Sequence, residues 1–153
     1  DLESILSSGV TRAILGTSAV KNPDFVEEAV RNFGNRICVG IDAKEGLVAI
    51  EGWEKTSNFT AIEFAQRMES LGVKTIIYTD IATDGMLTGP NLKAMEDMIC
   101  AVSMEVIASG GVSCTEDLLN LSRIGAHGAI VGKALYIGAV DISEALYELS
   151  NTG

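Results

Sequence analysis

Short β-branched runs alternate with amphipathic helical stretches along the whole chain, and this alternation predicts a parallel α/β fold. Two further observations narrow the class. The runs at residues 12–16, 37–41, 75–78, 105–108 and 128–131 are near-continuously apolar, as strands covered on both faces are. The unit also repeats. Residues 9–16, 72–79 and 125–132 each place a helix-stopping glycine before a short strand that ends on a small or hydroxyl residue. No dinucleotide G-x-G-x-x-G fingerprint is present, and no acidic residue ends a suitably placed second strand, which disfavours a doubly wound sheet. The expected class is therefore a parallel (β/α)8 barrel architecture, of which these 153 residues hold about five βα units.

The elements follow in order. Leu2, Ile5 and Leu6 have helical spacing ahead of the first strand. Asn22-Pro23 reads as N-cap and first helical residue; Phe25, Val26, Ala29, Val30 and Phe33 form the buried stripe, and Gly34 stops it. After the second strand, Asp42 leads through Ala43-Lys44-Glu45-Gly46 into an apolar run at 47–51 and then Gly52-Trp53. This reads as a hairpin-like excursion that carries the only Trp over the barrel mouth. Thr60-Ala61-Ile62-Glu63 is a capping box for a helix ending at Leu71-Gly72. The long loop at 81–91 holds the turn Asp84-Gly85 and reads as a candidate lid. Leu92, Met95, Ile99 and Val102 make the stripe of the next helix. Ser113-Cys114-Thr115-Glu116 reads as a second capping box, running to Ile124-Gly125, and Asp141 with Glu144 begins the last helix.

Composition excludes several partners. Eleven basic residues against 21 acidic ones give a net charge of −10, which repels phosphate backbones and anionic lipids, so neither nucleic acid nor membrane is expected as a partner. No run of about 18 apolar residues exists to span a membrane, and no signal-peptide pattern is seen. The three cysteines, Cys38, Cys100 and Cys114, are far apart and read as reduced, packed thiols of a cytoplasmic protein. The sole histidine, His127, has no neighbour at ligand spacing, so no metal site is expected; it precedes a strand at the end away from the chemistry and reads as structural.

In a barrel the chemistry sits where strands end. Those positions are Gly16-Thr17-Ser18, Asp42, Thr79-Asp80, Ser109-Gly110-Gly111 and Gly132-Lys133-Ala134. One glycine alone reads as a tight turn. Three glycine turns at corresponding strand ends point instead to anion binding through bare backbone amides, and the last two strands are where barrel enzymes frequently hold phosphate. Asp42 reads either as a turn cap or as a general acid–base group. Thr79 is equally open, and Trp53 either caps the core or stacks on a planar ring.

The segments Gly16-Thr17-Ser18-Ala19-Val20-Lys21-Asn22-Pro23, Val39-Gly40-Ile41-Asp42-Ala43, Gly52-Trp53, Tyr78-Thr79-Asp80-Ile81-Ala82-Thr83-Asp84-Gly85, Gly89-Pro90-Asn91, Val106-Ile107-Ala108-Ser109-Gly110-Gly111-Val112 and Val131-Gly132-Lys133-Ala134-Leu135-Tyr136 carry a resemblance. Together they resemble the signature segments of the phosphoribosylformimino-aminoimidazole carboxamide ribotide isomerases of histidine biosynthesis. The resemblance implies a (β/α)8 barrel and an Amadori rearrangement of an aminoaldose to an aminoketose. It also implies a bis-phosphorylated substrate and no cofactor, since proton transfers suffice. By resemblance Asp42 matches the general acid that opens the furanose ring and Thr79 an assisting hydroxyl. Gly16 and Thr17 match one phosphate site, and Gly110, Gly111, Gly132 and Lys133 the other. Trp53 and Asp84 match substrate-contacting loops. The Gly52-Trp53 and Tyr78-Thr79-Asp80 segments resemble this family more than the sister cyclase family that shares the phosphate turns.

The resemblance further implies that residues 1–153 are the C-terminal part of one barrel domain, strands four to eight, with three βα units and the general base on the first strand lying upstream of Asp1. A chain so truncated is expected to be inactive alone, and its exposed strand edges offer a route to oligomers. Two alternatives stand beside the isomerase reading: a catalytically inactive phosphate-binding fragment, and a dual-substrate isomerase that also acts on phosphoribosyl anthranilate.

Overall fold

The computed structural model describes residues 2–50 and 55–152. Five strands run parallel in the spatial order β1 (Ala13–Leu15), β2 (Ile37–Lys44), β5 (Thr75–Asp80), β6 (Glu105–Ser109) and β7 (Gly128–Ile130). Each sits next to its predecessor among the five parallel strands, the topology that right-handed βα crossovers generate. Two antiparallel strands, β3 (Leu47–Ile50) and β4 (Lys55–Thr60), extend from the C-terminal end of β2. The fold is thus α/β with a mostly parallel sheet, a partial (β/α) barrel.

The helices are α1 (Leu2–Ser7), α2 (Thr17–Lys21), α3 (Pro23–Phe33), α4 (Ala61–Ser70), α5 (Leu92–Ala101), α6 (Thr115–Arg123), α7 (Lys133–Tyr136) and α8 (Ile142–Thr152). Their punctuation follows the sequence closely. The Asn22 carboxamide accepts from the Phe25 amide at 3.2 Å ahead of Pro23, and Thr60 accepts from the Glu63 amide at 3.2 Å. Asp141 accepts from the Glu144 amide at 3.0 Å. The three repeated glycines, Gly9, Gly72 and Gly125, all have φ near +100°, which reverses the chain after α1, α4 and α6 and aims it into the next strand.

Two sequence expectations need correction, and a third, the α5 stripe of Leu92, Met95, Ile99 and Val102, holds and gains a member. Cys114 caps α6 without a side-chain hydrogen bond, and Glu116 closes no box. Asp117 instead accepts from both the amide (2.8 Å) and the hydroxyl (2.6 Å) of Ser113, because the helix starts one residue later than the box requires, with Cys114 at the N-cap and Asp117 as third helical residue. The stripe of α5 is deeper than read: Met98 is fully buried beside Met95, and Asn91 supplies an N-cap that had been assigned to the loop. Of the cysteines only Cys38 is packed, on a central strand; Cys100 and Cys114 are exposed because they fall on the outer helix surface and at a helix start.

The sheet has two faces, and register separates them. Cα pairing aligns Ile14, Cys38, Thr75 and Glu105 in one row, then Gly40, Ile77, Ile107 and Gly128, then Asp42, Thr79, Ser109 and Ile130. Paired residues share a face and alternate residues reverse it, so these three rows form the inner face of the curved sheet. The intervening residues, among them Val39, Ile41, Ile76 and Val106, lie under the helices and are at most 2 % exposed.

Candidate functional site

The third inner row brings Asp42, Thr79 and Ser109 side by side at the C-terminal ends of β2, β5 and β6. Asp42 is half-buried, and β2 carries on past it into the tight turn at Glu45-Gly46 that opens β3. No buried side-chain oxygen or nitrogen among the described residues lacks a hydrogen-bond partner. Among the described residues Thr79 Oγ1 makes no hydrogen bond although the residue is 7 % exposed, so its hydroxyl is the part that reaches the mouth.

Beside this row a cavity of about 80 Å³ is lined by Asp84, Gly85 and Leu87 on one side, by Ser109, Gly110, Gly111 and Val112 at its floor, and by Ile130, Gly132 and Lys133 on the other. It unites the four residues assigned to the second phosphate site with Asp84. Gly110 and Gly111 take φ of +101° and +86°, and neither position has room for a side chain. A Cβ on Gly110 would sit 2.9 Å from the Asp80 carbonyl oxygen. One on Gly111 would sit 2.5 Å from the Gly89 carbonyl oxygen. The turn is therefore moulded against the 81–91 loop, and its backbone stays bare where an anion would approach.

That loop is pinned. Asp80, on the helix-covered side, accepts from the Ala82 amide (3.0 Å) and from the Asn91 carboxamide (2.8 Å), which ties both ends of the loop to one carboxylate. Thr83 Oγ1 donates toward the carbonyls of Asp80 (3.2 Å) and Gly110 (3.4 Å), and the Gly89 amide donates to the Gly111 carbonyl at 2.9 Å. Where the sequence suggested a lid, the geometry describes a fixed wall.

The remaining assigned positions lie elsewhere. Gly16 ends β1 on the far side of Asp42 from the cavity, where its carbonyl accepts from the Ala19 amide at 2.9 Å as α2 begins. The Thr17 side chain and all of Trp53 lie outside the described residues. His127 is at the opposite end of the sheet, exposed, with Nε2 3.8 Å from Glu105. The sequence reads Ser109 only as part of a turn; the signal that places it on the inner row is strand parity, as the last of the five residues of β6 and the partner of Thr79.

A parallel βα array with its polar and glycine positions gathered at the strand C-termini is the layout of a (β/α)-barrel enzyme. The chain belongs to the family described as histidine biosynthesis proteins, a barrel family, which matches residues 1–141. It is 61% identical over 145 residues to a protein of Thermoanaerobacter pseudethanolicus named 1-(5-phosphoribosyl)-5-((5-phosphoribosylamino)methylideneamino) imidazole-4-carboxamide isomerase. That alignment covers 95% of this chain and 61% of the relative. A protein of the same name from Acetivibrio thermocellus is 61% identical over the same shares, and one from Geobacter sulfurreducens is 53% identical over 148 residues, again 95% of this chain and 61% of the relative. The chain thus spans about three-fifths of the length of the curated relatives it matches.

Proposed function

We propose that this chain carries the acid half of an isomerase active site for the aminoaldose-to-aminoketose rearrangement of a bis-phosphorylated imidazole carboxamide ribotide, in a cytoplasmic enzyme of histidine biosynthesis. One observation carries the reading. Across the strand order, Gly16 and Thr17 come first, Asp42 and Thr79 next, and the Gly110, Gly111, Gly132 and Lys133 cavity last. Two anion sites flank a carboxylic acid and a hydroxyl, with roughly 14 Å between the β1 and β6 turns at the usual strand spacing. A substrate with a phosphate at each end and its reacting sugar between them suits that order.

The chemistry needs only proton transfer. The Asp42 carboxyl donates its proton to the furanose ring oxygen; the C1–O bond breaks, and the nitrogen lone pair forms a protonated imine at C1. A base then takes the C2 proton, and the electron pair passes to the imine to give an enaminol. Its tautomerisation leaves the ketone at C2 and the amine at C1. Thr79 holds the C2 oxygen, and Asp42 regains a proton as the cycle closes. Asp80 belongs to the other face, Glu105 to the other end of the inner face and Asp84 to the loop that walls the anion cavity, so none of these three is assigned as the base. We assign the base to the first barrel strand, within the length of the relatives that this chain does not span. By the family resemblance Trp53 is assigned to the imidazole of the substrate, and Asp84, on the loop that walls the cavity, is assigned a further substrate contact.

In the full-length protein, Asp42→Asn lowers kcat by about 10²–10⁴-fold and leaves the affinity for a bis-phosphorylated product analogue unchanged. Unaltered turnover overturns the role. The span of three-fifths favours a second reading, in which this chain alone binds phosphate and turns nothing over. Mixing it with a polypeptide that supplies the remaining βα units decides between them: restored isomerisation supports the divided enzyme, and phosphate binding without turnover supports the inactive module. Assay with phosphoribosyl anthranilate tests the dual-substrate form.

A further inference from the structure

Ser109 is the one polar member of the third inner row to which the rearrangement above gives no task. It pairs with Thr79 in register and lies half-buried on the same face, and it also lines the floor of the glycine cavity. It is thus the one polar side chain common to the row and to the cavity, the apolar Ile130 being the other. Its hydroxyl, like that of Thr79, makes no hydrogen bond within the chain among the described residues. A hydroxyl left open on a strand whose outer neighbours Ala108 and Gly110 are buried is available to a ligand.

We propose that Ser109 is a substrate-binding and specificity residue that holds the C3–C4 hydroxyl segment of the sugar, between the reacting C1–C2 bond and the phosphate. The proposal rests on the isomerase reading and follows from spacing. Neighbouring strands stand about 4.8 Å apart. If the sugar's C2 oxygen meets Thr79 on β5 and its phosphate meets the amides of Gly110 and Gly111, the stretch C3–C5 between them, with its C3 and C4 oxygens, passes over Ser109 on β6. Oγ then donates to, or accepts from, the C3 hydroxyl and, after ring opening, the C4 hydroxyl. A site that hydrogen-bonds a substrate hydroxyl discriminates against the analogue lacking it.

The test uses the full-length enzyme with the natural substrate and its 3-deoxy analogue. Ser109→Ala is expected to lower kcat/KM on the natural substrate by about 3–10-fold, the size of one neutral hydrogen bond, and to leave kcat/KM on the 3-deoxy analogue unchanged. Ser109→Thr, which keeps the hydroxyl, restores most of the loss. An equal loss on both substrates, or no loss on either, overturns the proposal. Asp42→Asn run in parallel separates the two readings. If it abolishes turnover while Ser109→Ala does nothing, only the Ser109 assignment falls; if neither changes turnover, the isomerase reading itself has failed.

Discussion

The two faces of the parallel sheet are built from the same strands yet follow different rules. Under the helices, every described position on β2, β5 and β6 is buried, and all but Tyr78 and Asp80 are small or aliphatic. On the inner face the same strands alternate burial with openness: Cys38, Thr75 and Thr79 are buried, while Gly40, Asp42, Ile77, Ile107 and Ser109 are only partly covered. Toward the sheet edges the inner face opens further, with Ile14 59 % and Ile130 46 % exposed. The outer face pays for the fold with apolar burial, and the inner face gathers a carboxylate and two hydroxyls at the strand ends.

The largest way to break this contrast is on the outer face. Ile76→Ala removes a fully buried side chain from the central strand and is expected to cost about 2–5 kcal/mol, read as a lower urea midpoint with unchanged slope. A cost below about 1 kcal/mol would mean that the helix layer is not close-packed there.

An intermediate effect comes with alkali and involves both faces. Burial raises the Cys38 thiol above its ordinary 9.0, with Glu105 adding to the rise and Arg12 opposing it. Burial also raises the Tyr78 phenol above 10.0, helped by Asp80 and Asp97. Both groups hold their protons longer in the folded chain than in the unfolded one. Stability is therefore whole below pH 9 and declines as the pH rises past 9 and then 10. A urea midpoint flat from pH 8 to 10.5 would contradict the burial of both. Alkylation near neutrality is expected at Cys100 and Cys114 before Cys38.

The smallest effect sharpens the comparison. Ile130→Ala at the exposed inner edge is expected to shift the stability of this chain by no more than about 0.5 kcal/mol. In the full-length protein, where the proposed barrel closure covers β7, the same change rises into the 2–5 kcal/mol range. Equal small costs in both would count against closure along that edge.

Much of the outer architecture is legible in the residues. Asn22-Pro23, Thr60 with Glu63, Asp141 with Glu144 and the three stopping glycines act over three or four positions, so local chemistry reveals them. The Ser113–Asp117 clasp and the Asn91 cap were missed because turn geometry decides which nearby side chain reaches the backbone. In the site, Asp42 and Thr79 are visible as strand-end polar residues, whereas Ser109 needs the register between β5 and β6. The reason Gly110 and Gly111 must be glycine is invisible to local reading, since the atoms that exclude a side chain belong to Asp80 and Gly89.

Surface loops ordinarily tolerate insertion and deletion. The 81–91 loop is held by Asp80 at both ends, and its Gly89 amide meets the Gly111 carbonyl. Its length is thereby coupled to a turn more than twenty residues further along the chain. A residue added or removed between Gly89 and Asn91 would shift the anion turn itself. At the tip Met86 is 61 % exposed, but Gly85 and Leu87 on either side of it line the cavity, so a change of length there would also reach the wall of the anion site.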